Sequence, residues 1–186
     1  MEKNKRTMKE INFGVLNVRG CREEDKRETI CIDACRYNLQ ILGITETNIA
    51  GEEEREKYSV RMEDKNKITK NDYHFFTGGI SEQNVYSGVG CVIDEELDPS
   101  FKRISDRICT AEIQLKDHKI IIIVAYAPTM IVSEKEPQKR DEFYQTLDKI
   151  LDKEKKSKNV VILMGDMNAK TGTGYKDYKA NMEKEE

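Results

Sequence analysis

The stretch Asn159-Val160-Val161-Ile162-Leu163-Met164-Gly165-Asp166-Met167-Asn168-Ala169 decides how the chain is read. The apolar run 160–164 has the length and β-branched character of a buried strand. Gly165 punctuates it, and Asp166 and Asn168 follow with only Met167 between them. Side chains two apart at a strand end lie on the same side, so a carboxylate and a carboxamide can project together from the mouth of a sheet. An Asx-rich turn closing the strand would look the same. The rest of the chain has to separate the two readings.

Upstream, 137–155 has helical spacing: Pro137 suits a first turn, and Phe143, Leu147, Ile150 and Leu151 form an apolar stripe. Before that helix, Ile120-Ile121-Ile122-Ile123-Val124-Ala125 is apolar on both faces, as a strand covered by two layers should be. It ends in Tyr126-Ala127-Pro128-Thr129, where Pro128 stops the strand. Tyr126 either caps the core with its ring or offers its hydroxyl to a site. Strands are also expected over 101–104 and 108–115, the latter joined to 120–126 by a tight turn that exposes His118. The strand 86–94 carries Gly88 and Gly90 on one face, which permits close approach of a neighbouring layer or ligand. No phosphate-cradling glycine pattern follows it.

The amino-terminal part opens with a strand over 11–18 that holds the polar Asn17 near its end, either as a structural pin or as a site residue. A helix over 23–37 buries Ile30, Ala34 and Tyr37 with Cys31 and Cys35, and a strand over 39–44 then delivers Glu46. Strand, helix, strand is a βαβ-like beginning. Charges dominate 51–71, which reads as a solvated connection with a short edge strand around Val60 and Met62. A strand over 73–76 makes His74 an ordinary strand residue, and 78–84 reads as a mobile turn. Residues 1–10 read as loose, 11–172 as one domain and 173–186 as a polar tail.

A length of 186 residues suits one domain with a core of its own. With 36% charged residues and a formal net charge of −3, the surface is heavily charged but has no global attraction for nucleic acid. No apolar run has the length of a membrane span and the start leads into no signal-peptide core, so an intracellular protein is expected, nuclear or cytoplasmic. Five scattered cysteines read as reduced thiols rather than zinc ligands.

Buried strands thus hand Asn17, Glu46, Tyr126, and Asp166 with Asn168 to successive loops. In this order, with the words Leu16-Asn17-Val18-Arg19-Gly20, Ile44-Thr45-Glu46-Thr47, Ser87-Gly88-Val89-Gly90, Ser105-Asp106-Arg107-Ile108, Tyr126-Ala127-Pro128-Thr129 and Gly165-Asp166-Met167-Asn168-Ala169, the chain resembles the endonuclease/exonuclease/phosphatase superfamily. The nearest likeness is to endonuclease domains of non-LTR retrotransposons and to craniofacial development protein 2-like sequences. The resemblance implies an α/β fold, a four-layer α/β sandwich of two packed mixed β-sheets flanked by helices. It implies Mg²⁺, with Mn²⁺ a possible substitute, held by Glu46 with help from Asn17. Asp166 would orient or deprotonate the attacking water, Asn168 would steady the scissile phosphate, and Tyr126 would hydrogen-bond a phosphate oxygen. The implied reaction is phosphodiester hydrolysis, with DNA as substrate.

The chain departs from the superfamily pattern in lacking the later Asp and the Ser-Asp-His motif near the carboxyl end, and in carrying Arg19 where many nucleases have Asp. An amino-terminal portion of the domain, incomplete at the C-terminus and with impaired activity, is the resulting expectation. The alternatives are a catalytically inactive interaction or structural protein that keeps the fold, and a phosphatase or lipid phosphodiesterase of the same superfamily.

Overall fold

The architecture comes from a computed structural model, which describes residues 10–51, 53–64, 67–78, 87–154 and 158–169. The loose start and polar tail expected from sequence lie outside these residues apart from Glu10, as does most of the turn expected over 78–84.

The chain folds as β1 (Phe13–Asn17), α1 (Glu24–Arg36), β2 (Ile41–Thr45), β3 (Glu53–Asp64), β4 (Lys67–Gly78), β5 (Val89–Asp94), β6 (Ser100–Ser105), β7 (Ile108–Gln114), β8 (Lys119–Tyr126), α2 (Met130–Lys135), α3 (Pro137–Glu154) and β9 (Val160–Asp166). Two mixed sheets result, one in the order β1-β2-β5-β4-β3 and one in the order β6-β7-β8-β9. In each sheet one pair is parallel, β1 with β2 and β8 with β9, and both crossovers use a helix.

Packing makes the four layers explicit. Ile30, Cys31, Ala34 and Cys35 of α1 bury against Leu42, Ile44, Phe75 and Val92 of the first sheet. The other face of that sheet, through Ile41, Cys91 and Ile93, meets Ala111, Ile113, Ile122 and Val124 of the second. Ile121, Ile123 and Ala125 point the opposite way, onto Phe143 and Leu147 of α3. Alternate side chains of β8 therefore serve two interfaces, which is why its sequence is apolar without interruption. Burying each such isoleucine is worth about 2 kcal/mol. All five cysteines are buried in these layers as thiols.

The structure corrects the reading of 51–71. That segment is not a solvated connection but most of a long antiparallel hairpin, β3 with β4. Arg55, Lys57, Ser59, Arg61 and Glu63 of β3 face solvent while Tyr58, Val60 and Met62 face α1. A charged outer face concealed the period of two. Tyr37 is a further correction: 69% exposed, it follows the last turn of α1 instead of joining its apolar stripe. His118 is half-buried in the β7–β8 turn rather than exposed, and α2 had no counterpart in the sequence reading. Gly90 is needed by its own sheet, not by another layer, since a Cβ there would stand 2.2 Å from the Phe76 carbonyl oxygen on β4.

His74 is a core residue of β4. Arg55 Nη2 lies 2.8 Å from its Nε2, and its ring is tilted against Phe76. Arg55 also sets Nε 3.4 Å from Nδ1, and because arginine only donates, these contacts favour the neutral imidazole. Burial lowers its pKa, and the positive charges of Arg55 and Lys57 add to this while Glu95 and Asp98 oppose it. A folded-state pKa below the unfolded value of about 6.5 gives stability that is complete above that value and is lost as pH falls through it. The melting midpoint of the wild type should therefore drop more steeply between about pH 7.5 and pH 5 than that of His74→Gln. Parallel slopes in the two proteins would refute this.

Candidate active site

The carboxyl ends of β1, β2, β8 and β9 open onto one rim, and a continuous series of backbone hydrogen bonds ties their loops together. Gly20 N–H donates to Glu46 O at 2.6 Å and Cys21 N–H to Thr47 O at 2.9 Å. Thr47 N–H donates to Gly88 O at 3.2 Å, and Gly88 N–H to Asp106 O at 3.0 Å. Tyr126 N–H then donates to Arg107 O, and Ala127 N–H to Asp166 O, both at 2.9 Å. This belt crosses from the first sheet to the second. Every site residue expected from sequence lies on it or next to it.

Glu46 is the junction. Its Oε1 accepts from Asn17 Nδ2 at 2.8 Å and from the Tyr126 hydroxyl at 2.9 Å. Asn17 is positioned in turn by the Arg19 N–H, which donates to its Oδ1 at 3.1 Å. Tyr126 fills both roles that its sequence position allowed. The ring is buried between the sheets, and the hydroxyl crosses to the end of β2. Burial, and then the Glu46 carboxylate, raise the phenol above its ordinary pKa, while Asn168 and Arg107 pull it back. The group is therefore a protonated donor at neutral pH.

Asp166 is aligned with Tyr126 in the parallel β8–β9 pair. Its Oδ1 accepts the Asn168 N–H at 2.8 Å, and Asn168 Nδ2 donates to Ala127 O at 2.7 Å. The Asx turn weighed in the sequence reading is thus present, and it is the device that holds Asp166 and Asn168 beside Tyr126. The rim is also where unusual backbone collects. Arg19 (φ 49°), Glu46 (φ 58°), Asn48 (φ 55°) and Asn168 (φ 46°) are all left-handed, as is Gly88 (φ 102°). Such conformations cost of order 1 kcal/mol or more each in a non-glycine residue and gather at functional sites.

The donor set suits Mg²⁺. Glu46 Oε2 takes part in no hydrogen bond among the described residues, and Asn17 supplies an amide beside it. One carboxylate and one carboxamide match a cation that keeps most of its waters. No three His, Cys, Asp or Glu side chains come together as a metal cage among the described residues, so a closed structural site is not the pattern here. Neither histidine joins the rim: His74 is in the body of β4, and His118 is at the opposite end of β8 from Tyr126.

One residue that sequence reasoning passed over belongs here. Arg107 lies with its guanidinium carbon 5.1 Å from the Tyr126 ring centroid, and Nη1 donates to Tyr126 O at 3.3 Å. Its only sequence signal was a place in Ser105-Asp106-Arg107-Ile108, to which no chemistry was attached.

Solved structures with a similar fold exist. The AP endonuclease LMAP from Leishmania major superposes with a TM-score of 0.59 at 12% identity, over 86% of this chain and 55% of that enzyme. An endonuclease/exonuclease/phosphatase family protein from Leptotrichia buccalis superposes with a TM-score of 0.51 at 16% identity, over 91% of this chain and 71% of its own. The fold is of the endonuclease/exonuclease/phosphatase type. In that fold the present chain spans about half the length of LMAP. At these identities the likeness concerns the fold, and the chemistry rests on the residues at the rim. No family model matches the sequence, and no curated protein matches it significantly. No helix among the described residues is long and apolar enough to cross a membrane.

Proposed function

We propose that this chain carries the Mg²⁺-dependent phosphodiester-hydrolysing site of a DNA endonuclease of the retrotransposon type, with Mn²⁺ as a possible substitute cation. The observation that carries the reading is the pair of hydrogen bonds from Asn17 and Tyr126 to one oxygen of Glu46, at the rim where Asp166 and Asn168 also end. DNA is preferred as substrate because of the ordered sequence words. The likeness to an AP endonuclease agrees with that choice.

Glu46 and Asn17 would hold the cation. When bound there it supplies a Lewis acid that stabilises charge on the phosphate oxygens. Asp166 keeps Oδ1 on the Asn168 N–H and has Oδ2 to accept a proton from the attacking water. The Tyr126 hydroxyl, whose one proton goes to Glu46 Oε1 in this structure, would turn it to a non-bridging phosphate oxygen as charge develops, and the Asn168 side chain would steady the same group. Neither His74 nor His118 lies at the rim, so slow turnover is expected of residues 1–186 tested alone.

Supercoiled plasmid incubated with the purified chain and Mg²⁺ tests the reading. Slow nicking that needs Mg²⁺ and is lost in Asp166→Asn is the expected result. Nicking that continues in EDTA, or at full rate in Asp166→Asn, would overturn it. A second reading is a catalytically inactive interaction or structural protein that keeps the fold. Folded protein that retards a duplex and never nicks it would support that one.

A further inference from the structure

The rim contains a cation whose guanidinium contacts, among the described residues, fall on one residue. Arg107, half-buried in the β6–β7 turn, places its guanidinium over the ring of Tyr126 and donates Nη1–H to the Tyr126 carbonyl. Its own carbonyl accepts the Tyr126 N–H at 2.9 Å. The neighbouring carboxylate, Asp106, is engaged by Arg103, and Arg107 makes no salt bridge among the described residues. A guanidinium loses hydration when it is partly buried, and here the compensating partners are a π face and a carbonyl.

We propose that Arg107 is a positioning residue for Tyr126, holding the ring so that its hydroxyl meets Glu46. Two torsions place a tyrosine hydroxyl. Packing between the sheets limits both, and a planar cation on one face narrows the ring angle further. The groups that face the phenol are Glu46 after β2, Asn168 after β9 and Arg107 between β6 and β7. The consequence for turnover rests on the reading of Tyr126 as a phosphate donor; the coupling itself does not.

The test separates charge from mere turn closure. Arg107→Gln retains a donor for the Tyr126 carbonyl and loses the cation, while Arg107→Lys retains the cation and loses the planar fork. In the 186-residue chain labelled with 3-fluorotyrosine, the Tyr126 fluorine signal is assigned by its disappearance in Tyr126→Phe. Its line should shift and broaden as the ring gains freedom in Arg107→Gln and stay near wild type in Arg107→Lys. Coincident spectra in Gln and wild type would overturn the proposal. Should the Gln variant fail to fold, the wild type decides. Its Arg107 Nε–H, assigned through Arg107→Lys, should show an upfield ring-current shift that disappears in Tyr126→Leu; an unshifted signal overturns the proposal. Neither readout requires turnover. A chain that shows the coupling but never nicks DNA would sink the nuclease reading and leave this one intact.

Discussion

Glu46→Gln should reduce Mg²⁺-dependent nicking by roughly 10³-fold or more while leaving the fold in place. Glutamine keeps an oxygen where Asn17 Nδ2 and the Tyr126 hydroxyl now donate, so neither neighbour is stranded. What disappears is the charge, and with it the carboxylate that contacts Asn17 at this rim. Cation affinity should fall by about 10-fold or more, readable by calorimetry without any turnover. The thermal midpoint should hold, because Glu46 is a half-buried loop residue outside the three core clusters. Unchanged Mg²⁺ affinity in the glutamine variant would remove Glu46 from the metal site. The Asp166 end of the rim would then have to be reconsidered as the place where a cation binds.

Gly165→Ala is the expected large effect on stability. Gly165 has φ 133°, a region that side chains avoid, and it lies opposite Ala125 in the parallel β8–β9 pair. A Cβ at this position would stand 1.9 Å from the Ala125 carbonyl oxygen, 2.8 Å from its carbonyl carbon and 2.9 Å from its nitrogen. Backbone cannot swing away as a side-chain tip can, so β9 must peel from β8 or change conformation. A cost of about 3 kcal/mol or more is expected, a fall of roughly 6–12 °C in melting midpoint for a chain of this size. Circular dichroism melts would measure it, and an unchanged midpoint would show that β9 can rearrange freely. Because Asp166 is the next residue, the same substitution should also weaken nicking in the protein that remains folded.

Gly165 joins the fold to the site. In sequence it was punctuation after an apolar run, and that much was readable because strand burial leaves a local signature. The same holds for Asn17, Glu46 and Tyr126, each found by following a strand to its polar end. It failed for β3, where Tyr58, Val60 and Met62 alternate with charges facing water and the charges dominate the composition. It failed for Arg107, since nothing local tells a turn arginine that meets solvent from one lying across a tyrosine 19 residues later.

Two edges of the sandwich show the same division. β1 and β9 each have one neighbour in their sheets, and Val15, Leu16, Val160 and Leu163 on them are exposed. Their composition marks them as strands but says nothing of what lies beside them.

The sequence by itself determined which side chains stand at strand ends, because periodicity and chain punctuation are local properties. Only the tertiary structure decided that they share one rim. Asn17 and Glu46 are 29 residues apart and Glu46 and Tyr126 are 80 apart, and a hydrogen bond across such separations exists only once sheet register and inter-sheet packing have fixed both partners. Register follows from which faces are buried, and that is a property of the assembled layers rather than of any single stretch.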